Sequence, residues 1–236
     1  MAELRIIAIP GIAEICRGDE IAVHIADAAS ANDTPLADGD CIVVTQKIVS
    51  KAEGRLVPLD ETDIEAKHAL IRSESVRIVR QRGDLIIAET KHGFICANAG
   101  IDLSNVEDGY AALLPVDSDR SANYIRNALR ARYRVECAII VSDTFGRPWR
   151  QGLTDVAIGV SGIAAIVDLR ETPDAGGRTL HVTEVAIADE IASAAELVMG
   201  KASGNPAAIV RGLDHSWFRE GSARELVRPA TDDLFR

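Results

Sequence analysis

Short apolar runs alternate with amphipathic stretches along the chain, and the two periods predict two kinds of element. Compact runs rich in β-branched residues predict strands at Arg5–Ile9, Cys41–Thr45, Leu85–Glu89, Phe94–Asn98, Cys137–Val141, Ala164–Asp168, Thr179–Thr183 and Ala207–Val210. Apolar positions three and four apart predict helices. Ile21, Ile25 and Ala28 mark the first, and Ala66, Leu70, Val76 and Val79 mark a second over Asp63–Gln81. Ile125, Leu129 and Tyr133 mark a third, with Asp117 or Ser118 as its N-cap; Ile187, Ile191, Ala195 and Val198 mark a fourth, stopped by Gly200. Thr90-Lys91-His92-Gly93, set between two apolar runs, predicts a hairpin turn. Strands alternating with helices, with hairpins among them, predict a mixed α/β or α+β chain. Beyond Leu213 the sequence is charged and poorly periodic, which predicts a loose C-terminal tail or a partner-docked helix.

Composition narrows the function classes. A chain of 236 residues can bury about 70% of its unfolded surface and needs no staples. Lys and Arg number 26 against 36 Asp and Glu, a net charge of −10, and aromatic residues make up only 4%. That balance argues against a nucleic-acid partner, which calls for a basic stripe and stacking platforms. No run approaches the roughly 18 apolar residues of a membrane span. Cys16, Cys41, Cys96 and Cys137 form no CxxC and no zinc-spaced cluster, so a reducing cytoplasm fits them. Leu4–Gly11 reads as a first strand and not as a signal segment. The acidic excess would repel anionic ligands, so any anionic substrate needs a local reversal of charge.

The familiar phosphate-loop, dinucleotide, zinc-protease and serine-nucleophile motifs are absent. The five histidines are scattered. Chemistry concentrates instead in four polar segments, three of them directly following an apolar strand, where ligands gather in open α/β sheets. The first, Thr45–Arg55, offers Gln46, Lys47, Lys51 and Arg55 with hydroxyls and a glycine, which suits phosphate oxygens as well as a solvated turn. The second, Asn98–Glu107, holds Asp102 and Asn105 three apart, able to share a helical face or to form an Asx turn. The third, Val141–Arg150, sets Asp143 and Thr144 at a strand end before Gly146, Arg147 and Arg150. That pattern fits a metal–phosphate clamp better than a capped loop. The fourth, Met199-Gly200-Lys201-Ala202-Ser203-Gly204-Asn205-Pro206, is a phosphate loop or a helix C-cap. Glu184, Asp189 and Glu190 are acids in or near an otherwise apolar helix, explained by a metal, an arginine partner or a solvated face.

Taken together, VVTQKIVSKAEGR, NAGIDLSNVE, ALLPVDSDRSA, VSDTFGRPWRQG, VTEVAIADEIASAAELVMGKASG and VRGLD resemble the coenzyme F-420 γ-glutamyl ligases (CofE type) from about Pro10 to the end. The resemblance implies an α/β fold with mixed sheets and flanking helices that forms an intertwined homodimer. It implies a ligase domain over residues 1–213, as one unit or as two subdomains. Residues 214–236 resemble the junction at which two-domain relatives continue into a flavin-binding nitroreductase-like domain. The implied reaction adds L-glutamate to the deazaflavin precursor F-420-0 through an acyl phosphate, with GTP as co-substrate, two divalent ions (Mn²⁺ or Mg²⁺) and K⁺. By resemblance Asp102 and Asp143 ligate metal, with Thr144 adding an oxygen. Asn105 contacts GTP and Lys51 its phosphates. Pro10, Gly11, Ile12, Gln46, Lys47, Met199, Gly200, Lys201, Ser203 and Gly204 complete the nucleotide site. The family pattern places an amide or acidic metal ligand near Lys201; a protonated lysine cannot ligate, so its carbonyl serves or the ligand comes from elsewhere. Arg147 and Arg150 are read as clamps for substrate phosphate or carboxylate. A metal-dependent phosphatase or phosphotransferase, and a non-catalytic deazaflavin-binding module, fit the same residues.

Overall fold

The computed structural model describes residues 3–104 and 106–234. In chain order the elements are β1 (Arg5–Ala8), α1 (Ile21–Ala31), β2 (Cys41–Thr45), α2 (Gln46–Ala52), β3 (Leu56–Pro58), α3 (Ile64–Ser73), β4 (Ser75–Arg82), β5 (Leu85–Thr90) and β6 (Ile95–Ala97). They continue as β7 (Tyr110–Ala112), α4 (Ser118–Tyr133), β8 (Ala138–Arg147), β9 (Arg150–Ser161), β10 (Val167–Asp168), β11 (Glu184–Val185), α5 (Ile187–Met199) and β12 (Ala207–Arg211). This is the mixed α/β chain that the two periods predict.

The main sheet runs β1-β12-β2-β8-β9, with β2 and β8 parallel and the other neighbours antiparallel. Its centre is buried on both faces, so its strands read as near-continuous apolar runs. Alternation along them serves two cores. Ile42, Val44, Ile139, Val141 and Ile209 pack on one side with Ile25 of α1, Val49 of α2 and Leu129 of α4. Cys41, Val43, Ala138, Ile140 and Val210 pack on the other with Ile191, Ala195 and Met199 of α5. Each fully buried Ile or Leu contributes about 1.5–3 kcal/mol. A separate small core of Ile71, Ile86, Ala88 and Ala99 lies under α3 and the meander β4-β5-β6.

Two close fits fix the layers. A Cβ on Gly159 of β9 would stand 2.3 Å from the Ser118 carbonyl oxygen, so glycine lets α4 lie directly on the strand. The Asp119 carboxylate accepts from the Val160 and Ala223 amides (2.7 and 3.0 Å) and from Ser222 Oγ (2.6 Å). It ties α4, β9 and the C-terminal segment together. That segment is neither loose nor an α-helix. It docks on its own chain through Ala164 N to Trp217 O (2.8 Å), buried Ala223 and three short 3₁₀ turns.

Elsewhere the structure departs from the periodicity. The helix expected over Asp63–Gln81 ends at Ser73, and Ser75–Arg82 forms β4. Ile78 stands opposite Ala88 of β5, while Val76 and Val79 fall at the two register slips of the pair, and β-branched residues of this kind favour a strand. Thr179–Thr183 forms no strand, only a Pro173–Thr179 bridge, and Ala164–Asp168 shortens to β10. Gln46–Ala52 is helical, and β8 runs through the polar segment after Val141 to pair with β9, which the apolar pattern does not announce.

Asp40 is fully buried and is held by Arg211 in a two-pronged pair, Nε–Oδ1 and Nη2–Oδ2 both 2.7 Å. Removing the guanidinium strands a buried charge. Arg211→Ala should therefore cost about 3–5 kcal/mol, read as a lowered urea midpoint; a loss below 1 kcal/mol would contradict that role.

Candidate active site

The sheet topology gathers the site. β1, β2 and β8 run in one direction, so their carboxyl ends share an edge of the sheet, and the loop entering β12 arrives at the same edge. Pro10-Gly11-Ile12 follows β1, Gln46 and Lys47 follow β2, Asp143 and Thr144 lie near that end of β8, and Met199–Gly204 precedes β12. Thr45 N donates to Pro206 O (2.9 Å), which stitches two of these segments together. Three of the four polar segments thus meet at one place, the position where open α/β sheets bind ligands.

Between Val141 and Ser142 the β8–β9 register slips, and beyond the slip Thr144 stands opposite Asp155. Such a bulge re-aims side chains at a site. Asp155, the residue that sequence reasoning missed, is 2% exposed. Its carboxylate accepts from Ser142 Oγ (3.0 Å), Thr144 Oγ1 (2.6 Å) and Lys201 Nζ (3.1 Å). A lone acid before the apolar Val156-Ala157-Ile158 was the available signal. Asp143, next along β8, is pushed up to about 7. Burial is the largest cause, one hydrogen bond opposes it, and the like charges of Asp102 and Asp155 add to it.

Asp102 comes from outside the sheet. Asn98, Ala99 and Gly100 take three successive left-handed conformations (φ 51°, 55° and 71°), and a Cβ on Gly100 would meet Leu114 at 2.7 Å. Asp102 follows in extended backbone, bridged to Ala112, and not on a helix. Lys47 Nζ reaches its Oδ2 at 3.0 Å, and the Ser104 amide and hydroxyl reach Oδ1 at 2.7 Å. Burial works against the charge of Asp102, but the Ser104 bonds and the Lys47 ammonium outweigh it and hold the carboxyl below its ordinary range. Asn105 lies outside the described residues.

Gln46 is 2% exposed; its Oε1 accepts from Ser50, and its Nε2 has no hydrogen-bond partner among the described residues. A buried donor left open beside the sheet end is an unmet demand that a ligand could satisfy. Lys51, on the last turn of α2, pairs with exposed Glu14 just past the Pro10-Gly11-Ile12 turn. Ser203 Oγ donates to Met199 O, and Gly200 and Gly204 have positive φ (59° and 72°), so the loop caps α5 while staying open at its tip. Arg55 is committed to Glu74 (2.7 Å) and to Leu114 O (3.0 Å). Arg147 and Arg150 are not with the acids: they close the exposed tip of the β8–β9 hairpin, and Arg147 donates to Gln151 O (2.9 Å). Four residues of strand put Arg147 roughly 13 Å beyond Asp143. Asp189 bonds the Ala157 amide (2.9 Å) and Glu184 pairs with Arg170 (3.2 Å), so both acids have partners within the fold.

The donor set of the cluster is carboxylate and hydroxyl oxygen, the set that Mg²⁺ and Mn²⁺ take, with positions left for water and substrate phosphate. Among the described residues no group of three or more His, Cys, Asp or Glu side chains forms a ready metal cage. Instead each flanking acid has an ammonium of its own: Lys47 on Asp102, Lys201 on Asp155. Asp143 forms no ion pair among the described residues; the Lys201 charge eases its carboxylate only in part against burial and the like charges of Asp102 and Asp155.

Residues 11–212 match the family model described as F420-0:Gamma-glutamyl ligase. The "Coenzyme F420:L-glutamate ligase" of Methanothermobacter thermautotrophicus is 43% identical over 249 aligned positions, covering 99% of both chains. The protein of that name from Methanopyrus kandleri is 42% identical, covering 99% of this chain and 98% of the relative. The one from Methanocaldococcus jannaschii is 42% identical over 86% of each chain.

The strain at Asp143 has a measurable sign. Its folded-state carboxyl, raised from 3.8 to about 7, stays protonated where the unfolded one ionises, so the folded state loses stability as pH rises through that window. In chelator, Asp143→Asn should melt above the unsubstituted chain at pH 8, by roughly 2–4 °C per 1 kcal/mol gained, and the gap should close toward pH 4. A lower melting temperature at pH 8 would contradict the like-charge picture.

Proposed function

The chain belongs to the F420-0:γ-glutamyl ligase family, and from that premise we propose that it attaches L-glutamate, in the cytoplasm, to the carboxylate of F-420-0 and then γ-links further glutamates. GTP is the proposed co-substrate, with Mn²⁺ or Mg²⁺ (two ions) and K⁺. The observation that supports this most is the convergence, at one end of one sheet, of Asp143 and Asp155 with lysines from two separate segments, Lys47 and Lys51 on α2 and Lys201 before β12.

The chemistry needs such a site. A free carboxylate does not acylate an amine in water. Transfer of the GTP γ-phosphoryl group to a carboxylate oxygen gives an acyl phosphate and GDP. The glutamate amine then attacks the acyl carbon, the C–O bond to phosphate breaks, and phosphate and a proton leave as the amide forms. The protein's share is positioning and charge neutralisation. Asp143, Asp102 and Thr144 would hold divalent metal, which supplies charge neutralisation on the phosphate oxygens. Lys51, released from Glu14, and Lys47 would face the phosphates. Gln46 Nε2 would find its missing acceptor on the nucleotide, and the Met199–Gly204 loop and the Pro10-Gly11-Ile12 turn would border it. Arg147 and Arg150 project too far to serve their own chain's acids. Their clamp role is proposed across an intertwined homodimer, since the same hairpin exposes Trp149 (80%) and Leu153 (68%), an apolar tip that a second copy could cover. A phosphatase reading has no observation here that favours it.

With Mn²⁺, GTP, glutamate and F-420-0, mass spectrometry should show glutamate added and GDP formed, each requiring all four components; GDP and phosphate without an amide product would overturn the ligase reading. Asp143→Asn should slow glutamate addition roughly a hundredfold or more while the chain stays folded; near-normal turnover would exclude it as a ligand. Lys51→Ala should raise the KM for GTP more than it lowers kcat, and an unchanged KM would remove it from the site. Without metal, GTP affinity should fall as ionic strength is lowered, because unscreened acids repel the triphosphate; a rise instead would contradict the charge arrangement.

A further inference from the structure

Lys201 brings a positive charge to Thr144 Oγ1, an oxygen that the preceding reading gives to metal, and to Asp155 beside it. Its Nζ contacts Thr144 Oγ1 on β8, Asp155 Oδ1 on β9 (3.1 Å) and Glu196 Oε1 on α5 (3.2 Å). An ammonium has three donors and no acceptor, so its full capacity is spent on three oxygens from three elements. Asp155 is 2% exposed, and its other partners, Ser142 and Thr144, are neutral hydroxyls. Among the ion pairs of the described residues, Lys201 is the cation on that buried carboxylate. Burial acts to lower the Lys201 ammonium's affinity for its proton, but the bonds and charges of Asp155 and Glu196 outweigh it and the net direction is up, so the group is charged at neutral pH.

The side chain is nonetheless reversible in its placement. It is 59% exposed while its partner is buried, so the stem enters from solvent and can leave by the same route. It hangs on the loop between Gly200 and Gly204, both at positive φ. Asp143, which forms no ion pair among the described residues and feels the Lys201 charge only indirectly, is one residue from Thr144 along the same strand.

We infer that Lys201 is a tethered cation that occupies the Thr144–Asp155 oxygens when no divalent ion is bound and must be displaced for that ion to bind. It therefore sets the metal concentration at which the site fills. The inference rests on the reading that this sheet end takes a divalent ion. It adds that the chain carries its own competitor for that ion. Losing the lysine should strengthen metal binding while weakening the metal-free fold, a pairing that a merely structural or a metal-assisting lysine would not give.

The test is Mn²⁺ titration of the full chain without nucleotide, with free Mn²⁺ read by electron paramagnetic resonance. Lys201→Met, which removes the charge and adds no oxygen ligand, should bind Mn²⁺ about tenfold tighter or more, and Lys201→Arg, which keeps the charge, should bind as the unsubstituted chain does. In chelator Lys201→Met should melt lower than the unsubstituted chain, and Mn²⁺ should restore it. In the unsubstituted protein Mn²⁺ should increase reductive methylation of Lys201, read by peptide mass spectrometry, which needs no variant to fold. Mn²⁺ binding that is unchanged or weaker in Lys201→Met, or Lys201 methylation that Mn²⁺ does not raise, would overturn the inference alone. Absence of Mn²⁺ binding in all three proteins would overturn the metal reading and the inference together.

Discussion

A carboxylate buried at the mouth of a sheet must be given a positive charge, and Asp155 is that carboxylate. It sits cross-strand from Thr144, is 2% exposed, and takes two hydroxyl bonds that leave its charge uncompensated. Burying an unpaired charge costs several kcal/mol. Lys201 answers that need from one loop, as Lys47 answers it for Asp102 from the start of α2. Asp143 forms no ion pair of its own among the described residues, and burial with the like charges of Asp102 and Asp155 outweighs the Lys201 charge, so its carboxyl is pushed up to about 7. The cluster is thus balanced on its flanks and left frustrated at its centre, the pattern expected where strain is kept for a ligand.

That local demand explains features far from the acids. Because β1, β2 and β8 point the same way, segments distant in sequence deliver Pro10, Gln46, Asp143 and Lys201 to one edge. The strained Asn98-Ala99-Gly100 turn, held by close contact with Leu114, directs Asp102 in from the smaller β-meander. The two cores on either face of the sheet, and the Asp40–Arg211 and Asp119 ties, hold those edges in register. In a chain of net charge −10, lysines counter Asp102 and Asp155 at the site, and a divalent ion on Asp143 would remove the repulsion that is left for an anionic substrate.

Much of this was legible in the sequence, and the exceptions have physical causes. The strands at Cys41–Thr45 and Ala207–Arg211 and the helix capped by Asp117 announce themselves because local pattern and tertiary burial agree there. The false helix after Ser73 fails because the stretch Ser75–Arg82 pairs with β5 through Ile78 and its polar neighbours, and Val76 and Val79, which mimic a helical period, fall at the register slips of that pair. β9 and Asp155 escape because glycines and a lone acid interrupt the apolar pattern, and because pairing with β8 is a non-local fact. Arg147 and Arg150 look catalytic in one dimension, since they follow Asp143 closely in sequence. An extended strand carries them away from it, as a helix or tight loop would not have done.

The most direct measurement is diffraction at the manganese edge from crystals grown with Mn²⁺ and a non-hydrolysable GTP analogue. An anomalous peak bonded to the Asp143 carboxylate and to a phosphate oxygen, with the Lys201 ammonium moved off Asp155, is the expected result. Manganese and phosphates seated away from this end of the sheet, with Lys201 still on Asp155, would contradict it.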